Sequence, residues 1–109
     1  MTTVDDGVYQ QVINSAGDGF YGQMARLGLA EAQARAGQYD QAITTFKEMS
    51  QRKDGPLPVD GILMRLGKTY LEAGKRADAQ QTFNKLVEEY PESPYASDAK
   101  RELDTLKKT

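Results

Sequence analysis

The stretch Gly17-Asp18-Gly19-Phe20-Tyr21-Gly22 spells G-x-G-x-x-G, a spacing that in a strand–turn–helix unit lets backbone amides hold a pyrophosphate at a helix N-terminus. It follows a strand-like run, Val8-Tyr9-Gln10-Gln11-Val12-Ile13, and precedes a helical pattern, with Asp40 nearly twenty residues further on. Three facts oppose a dinucleotide site. The chain repeats itself every 37 residues, which puts Tyr9 and Val12 at the positions of Phe83 and Leu86 in a helix; no further parallel strands follow; and 109 residues leave no room for the sheet. The same residues serve as a turn between repeats, in which Gly17 and Gly19 replace the rigid Pro91 and Pro94 of the later turn, with Asp18 capping the next helix.

Other side-chain chemistry is scarce. The chain has no Cys and no His, which removes disulfides, thiolate or imidazole metal sites, Cys or Ser–His nucleophiles and any side chain titrating near neutrality in its ordinary state. The acidic pairs Asp5/Asp6 and Glu88/Glu89 are adjacent in sequence, and neighbours on a helix diverge by about 100°, so neither pair can share a proton or clasp a cation. Lys100-Arg101 and Lys107-Lys108 fall in the C-terminal half of a helix, where cations complement the dipole. Fourteen basic against sixteen acidic residues, a net charge of -2, provide no broad field for nucleic acid or an anionic bilayer. No run approaches the roughly 18 apolar residues of a membrane span. The first residues, Met1-Thr2-Thr3-Val4-Asp5-Asp6-Gly7, have neither the basic nor the apolar region of a secretory signal. No enzyme activity, cofactor, metal, nucleic-acid partner or membrane insertion is expected.

The elements that must position any functional surface follow from the 37-residue period. Leu29, Leu66 and Leu103 share one register; Ala25, Ile62 and Ala99 a second; Tyr9, Phe46 and Phe83 a third; Val12, Met49 and Leu86 a fourth. Ala42 matches Ala79, Gly37 matches Gly74, and Tyr21 matches Tyr95 two periods on. Within each period apolar residues recur at three or four, the signature of helices. Residues 20–35 form one, with Tyr21, Ala25, Leu29 and Ala32 as its stripe, stopped by Gly37 as a C′ glycine. Residues 39–52 form the next (Ala42, Ile43, Phe46, Met49), broken by Gly55, Pro56 and Pro58. The pattern restarts over 59–73 (Ile62, Leu63, Leu66, Tyr70), stops at Gly74, and resumes over 76–90 (Ala79, Phe83, Leu86, Val87). Ser93 is expected to cap, and Pro94 to begin, a last helix ending near Lys107. Residues of about 4–14 form a helix before all of these.

Leu66-Gly67, Tyr70, Gly74, Ala79, Phe83 and Pro91 together resemble the tetratricopeptide repeat: Leu and a small residue, an aromatic, a glycine turn, a small residue at the helix crossing, an aromatic one turn later and a closing proline. Leu29-Ala30, Gly37-Gln38-Tyr39-Asp40, Ala42 and Phe46 match the same pattern, departing at Gln33, where an aromatic is usual, and at Asp54, where proline is usual. The resemblance implies an all-α, right-handed stack of antiparallel helix pairs, about six helices in one domain over 1–109: a half repeat (1–16), repeats at 20–54 and 57–91, and a capping helix at 93–108. The phrase 89–99, Glu-Tyr-Pro-Glu-Ser-Pro-Tyr-Ala-Ser-Asp-Ala, is similar to the inter-repeat turn of bacterial cell-envelope members: the barrel-assembly lipoprotein, the Tol–Pal-associated periplasmic protein and the ancillary protein of the Sec translocon. That resemblance implies a periplasmic setting, with the cytoplasm as alternative; the match of Tyr9 and Val12 to the second helix of a repeat leads to the expectation of a domain cut from a longer array.

With Leu29 facing the core, Met24, Leu27, Glu31 and Arg35 point the other way by the 3.6-residue period. The same offset selects Gly61, Met64, Lys68 and Glu72, with Arg65 and Leu71 beside them, and in the last helix Asp98 and Arg101. In the resembled family this face lines a concave groove for partner segments. The expected protein-binding residues are therefore Met24, Leu27, Met64 and Leu71, edged by Glu31, Arg35, Lys68 and Arg101. The function this implies is a non-catalytic protein–protein interaction scaffold. The alternative is a structural or homo-oligomerisation domain whose apolar face pairs with another copy, including a homodimer through the N-terminal end, where Val8 and Tyr9 are expected to be partly bare.

Overall fold

A computed structural model of the chain describes residues 6–17 and 19–108. Six helices follow one another: α1 (Asp6–Ala16), α2 (Phe20–Arg35), α3 (Tyr39–Ser50), α4 (Val59–Glu72), α5 (Arg76–Glu89) and α6 (Ala96–Lys107), with no strand among the described residues. The expected start of the first helix near Val4, the Asp5 carboxylate and the Asp18 cap lie outside them. The segment Val8–Ile13 is part of α1, which removes the strand a dinucleotide fold requires.

Each helix packs on its neighbour in sequence, and the body is a slab of 43 × 35 × 17 Å, the shape of a stack that grows in one direction. The hairpin turns show how. Gly37 (φ 80°) and Gly74 (φ 78°) take the left-handed conformation open to glycine. After each, the next amide folds back over the last helical turn, Gln38 N–H to Gln33 O (2.8 Å) and Lys75 N–H to Tyr70 O (2.8 Å), while the glycine N–H bonds Ala34 O (3.1 Å) or Leu71 O (3.0 Å). This paired closure satisfies the last carbonyls of α2 and α4 and turns the chain back antiparallel.

The core runs through both hairpins. Phe46, Phe83, Leu63 and Leu86 are the largest fully buried side chains, and Ala30, Ala42, Ala79 and Ala99 are inaccessible where helices cross. Burying a Leu or Phe contributes about 1.5–3 kcal/mol, so these central layers carry the stack. Gly22 has a local reason: a β-carbon there would overlap the Gly17 carbonyl, so the glycines of the G-x-G-x-x-G stretch let α2 start against the end of α1. Gly17 itself has φ 63°.

Two expectations about the stripes require correction. Tyr21 is 75 % exposed and Leu29 only half-buried, whereas α2 buries Gly22, Gln23, Ala25, Ala30 and Gln33. The helix lies between α1 and α3 and is covered on two flanks, so small and amide side chains replace a single apolar stripe. The last helix begins at Ala96 rather than Pro94, and Ser93 caps a turn instead: its Oγ accepts the Tyr95 N–H (3.0 Å), and Ala96 N–H bonds Ser93 O (3.0 Å). In α6, Ala99 and Leu103 are buried and Leu106 is partly so, whereas Tyr95, just before the helix, is 36 % exposed.

Candidate partner-binding groove

The first helices of successive units, α2, α4 and α6, stand at 37-residue intervals, so equivalent residues line up along one face. At the start of each lie Tyr21, Pro58 and Tyr95; one turn on lie Met24, Gly61 and Asp98. Between these helix starts is a pocket of about 240 Å³ lined by Met24 and Leu27 from α2, Leu57 and Pro58 from the connection, Gly61, Ile62 and Arg65 from α4, and Tyr95. Met24 is 43 % exposed and offers its flexible thioether to solvent. Gly61 makes the floor: a β-carbon there would stand 3.4 Å from Tyr95 Cε2 and 3.1 Å from Arg65 Nη1, so a larger residue would press on both walls.

Arg65 is the pocket's charged group and is held in two directions. Its Nε donates to Glu31 Oε2 (3.1 Å), linking α4 to α2, and its Nη1 donates to Gly61 O (3.0 Å) one turn back. Both partners of the Arg65–Glu31 ion pair are over a third exposed, so its contribution to stability is at most about 1 kcal/mol; its effect is orientation. A guanidinium carries five N–H groups, and donors remain for a visiting carbonyl or carboxylate.

Of the residues expected on this face, Met24 and Leu27 line the pocket and Glu31 borders it through Arg65. Arg35 and Lys68 are exposed, and Arg101 is exposed and paired with Asp98. Met64 is a correction: it is buried at 4 %, because α4 is the middle helix and Ile62, Leu63 and Met64 are all covered by neighbours. Leu71 is half-buried against the core. Leu57 and Pro58 lie in the connection before α4, outside any helical face, and Tyr95, expected within the last helix, precedes it. The signal that could have found Tyr95 is its register with Tyr21.

The model for the tetratricopeptide repeat matches residues 24–52 and 62–93, more than half of the chain. The chain belongs to the tetratricopeptide repeat family. No curated protein matches it. The two matched stretches fall on α2–α3 and on α4–α5 with the following turn, so the groove spans both tetratricopeptide repeats and is closed by the residue that precedes α6.

The tetratricopeptide stack also buries a phenol away from the groove. Burial first, and the nearby Asp78 carboxylate second, raise the Tyr70 pKa above its ordinary value of 10.0. Among the described residues no group of three or more acidic side chains is placed to hold a metal ion, and no helix is long and apolar enough to cross a membrane.

Proposed function

We propose that this domain is a protein-interaction scaffold that takes a partner's extended or helical segment into the groove between α2, α4 and Tyr95. Tetratricopeptide repeats commonly mediate protein–protein interaction and the family is typically non-catalytic. The observation that carries the finer reading is the pocket itself: apolar walls from two repeats, a half-open Met24, and one oriented guanidinium with donors to spare. Such a site suits a partner whose apolar side chain enters while an adjacent backbone carbonyl or carboxylate meets Arg65.

The similarity of residues 89–99 to the inter-repeat turn of bacterial envelope proteins supports a place for this domain in a bacterial cell-envelope protein, on the periplasmic side. A second reading, self-association through the N-terminal end, is favoured by a separate patch: Val8, Val12, Phe20 and Tyr21 are exposed by 54, 38, 52 and 75 %.

Selection of a displayed peptide library on the immobilised domain tests the groove. Enriched peptides should share an apolar anchor and lose binding to Met24→Glu while binding Gln80→Glu, on the exposed side of α5, as they bind the parent. Peptides indifferent to Met24→Glu would place the binding surface elsewhere. A concentration series by light scattering tests the second reading: a dimer disrupted by Tyr21→Glu supports it, and a monomer at all concentrations excludes it.

A further inference from the structure

We infer that the groove is completed by a latch, in which Ser93 and Asp60 fasten the lead-in of α6 to the first turn of α4 and so hold Tyr95 in place as its wall; this rests on the groove proposed above. The Ser93 hydroxyl donates to Asp60 Oδ2 at 2.6 Å, across 33 residues of sequence, and at the same time accepts the Tyr95 N–H at 3.0 Å. One hydroxyl therefore ties the position of residue 95 to α4. Asp60 immediately precedes Gly61, whose missing side chain leaves the space that the Tyr95 ring covers. The hydrogen bond is short and has an ionised acceptor, the stronger kind, and both side chains are half-buried.

The latch has no copy in the preceding repeat. The residue 37 positions before Ser93 is Pro56, which offers no hydroxyl, and the one before Asp60 is Gln23, which is buried at 3 % with its Nε2 unpartnered among the described residues. The pairing is thus particular to the junction that borders the pocket rather than a property of every turn. Tyr95 belongs to the wall only while the lead-in is docked. A segment that packs on Tyr95 binds the latched form alone, and its apparent affinity falls with the fraction of molecules that are latched. Ser93 acts through Tyr95 and is a positioning residue.

The test uses the whole 109-residue chain with Ser93→Ala, Ser93→Thr, Asp60→Asn and Met24→Glu. Without any peptide, the nuclear Overhauser effect between the Tyr95 ring and the Gly61 α-protons reports the latch. It should weaken, and the amides of residues 95–99 should exchange faster, in Ser93→Ala, while Ser93→Thr, which keeps the hydroxyl, should restore both. A peptide from the selection above, fluorescently labelled, should bind Ser93→Ala about three- to tenfold more weakly and Ser93→Thr normally. An unchanged Tyr95–Gly61 Overhauser effect in both Ser93→Ala and Asp60→Asn overturns the latch. So does undiminished binding to Ser93→Ala of a peptide that Met24→Glu abolishes. Binding indifferent to Met24→Glu, together with a Tyr95–Gly61 Overhauser effect that disappears in Ser93→Ala, instead overturns the proposed groove and leaves the hydroxyl's structural tie intact.

Discussion

A β-carbon on Gly67 would stand 2.7 Å from Cζ of Phe83, so the backbone of α4 and the aromatic ring of α5 are in direct contact. The small residue after Leu66 is therefore dictated by a ring in the next helix. Ala79, one turn before that ring, is fully buried and keeps the two helices at the same close approach.

Gly67→Ala is expected to destabilise the domain by about 1–3 kcal/mol, because overpacking against a ring with no free volume outweighs the roughly 1 kcal/mol that alanine returns in helix propensity. Urea denaturation reads this directly. A gain in midpoint would show that the Phe83 ring can move aside and that its position is not fixed.

The fold was legible where its physics is local. The glycine stops at 37 and 74, the aromatic register Phe46/Phe83 and the alanines 42 and 79 each impose one conformation or one distance, and the structure meets them all. Legibility failed where burial depends on how many neighbours a helix has. The turn periodicity of α2 shows one face, but α1 covers a second, leaving Tyr21 outside and Gln33 inside. For the same reason Met64, on the outward side of a helical wheel, is covered in the middle helix. The groove was legible on its helical side through Met24 and Leu27 and illegible through Leu57, Pro58 and Tyr95, because outside a helix the 37-residue register fixes a position but no helical face fixes the direction of the side chain.

Gln33 occupies a position where the family favours an aromatic, and it is 7 % exposed with Oε1 unpartnered among the described residues. An unsatisfied buried carbonyl costs about 1–3 kcal/mol. Gln33→Leu should therefore raise the melting temperature. A fall would mean that the amide is satisfied by a buried water and that the cavity rejects a branched apolar side chain.

The pH response should be flat between about pH 6 and 8, for the chain has no His. Above about pH 10 stability should fall: the unfolded Tyr70 ionises near 10.0, whereas the folded phenol has a raised pKa and holds its proton longer, so alkali favours unfolding. Thermal melts of the parent and Tyr70→Phe at rising pH, at constant ionic strength, separate this group from the other tyrosines. The decline should be shallower in Tyr70→Phe. An identical decline would remove Tyr70 as a contributor.

Placing a carboxylate at two methionines divides core from groove. Met64→Glu should unfold the domain, since a charge buried at that position has no partner and costs several kcal/mol. Met24→Glu should retain the parent's helical circular dichroism and melt within about 0.5 kcal/mol of it, as an exposed site does. Retention of the fold by Met64→Glu would return that residue to the outer face.

Whether partners are taken on the face of α2 and α4 beside Tyr95 can be decided by an amide and methyl nuclear magnetic resonance titration of the domain with a selected peptide. Saturable shifts are expected, confined to Met24, Leu27, Gly61, Ile62, Arg65 and Tyr95, with the separate pocket around Lys47, Gln81 and Lys85 unmoved. Shifts centred on Lys47, Gln81 and Lys85, with Met24 and Tyr95 silent, would contradict the groove.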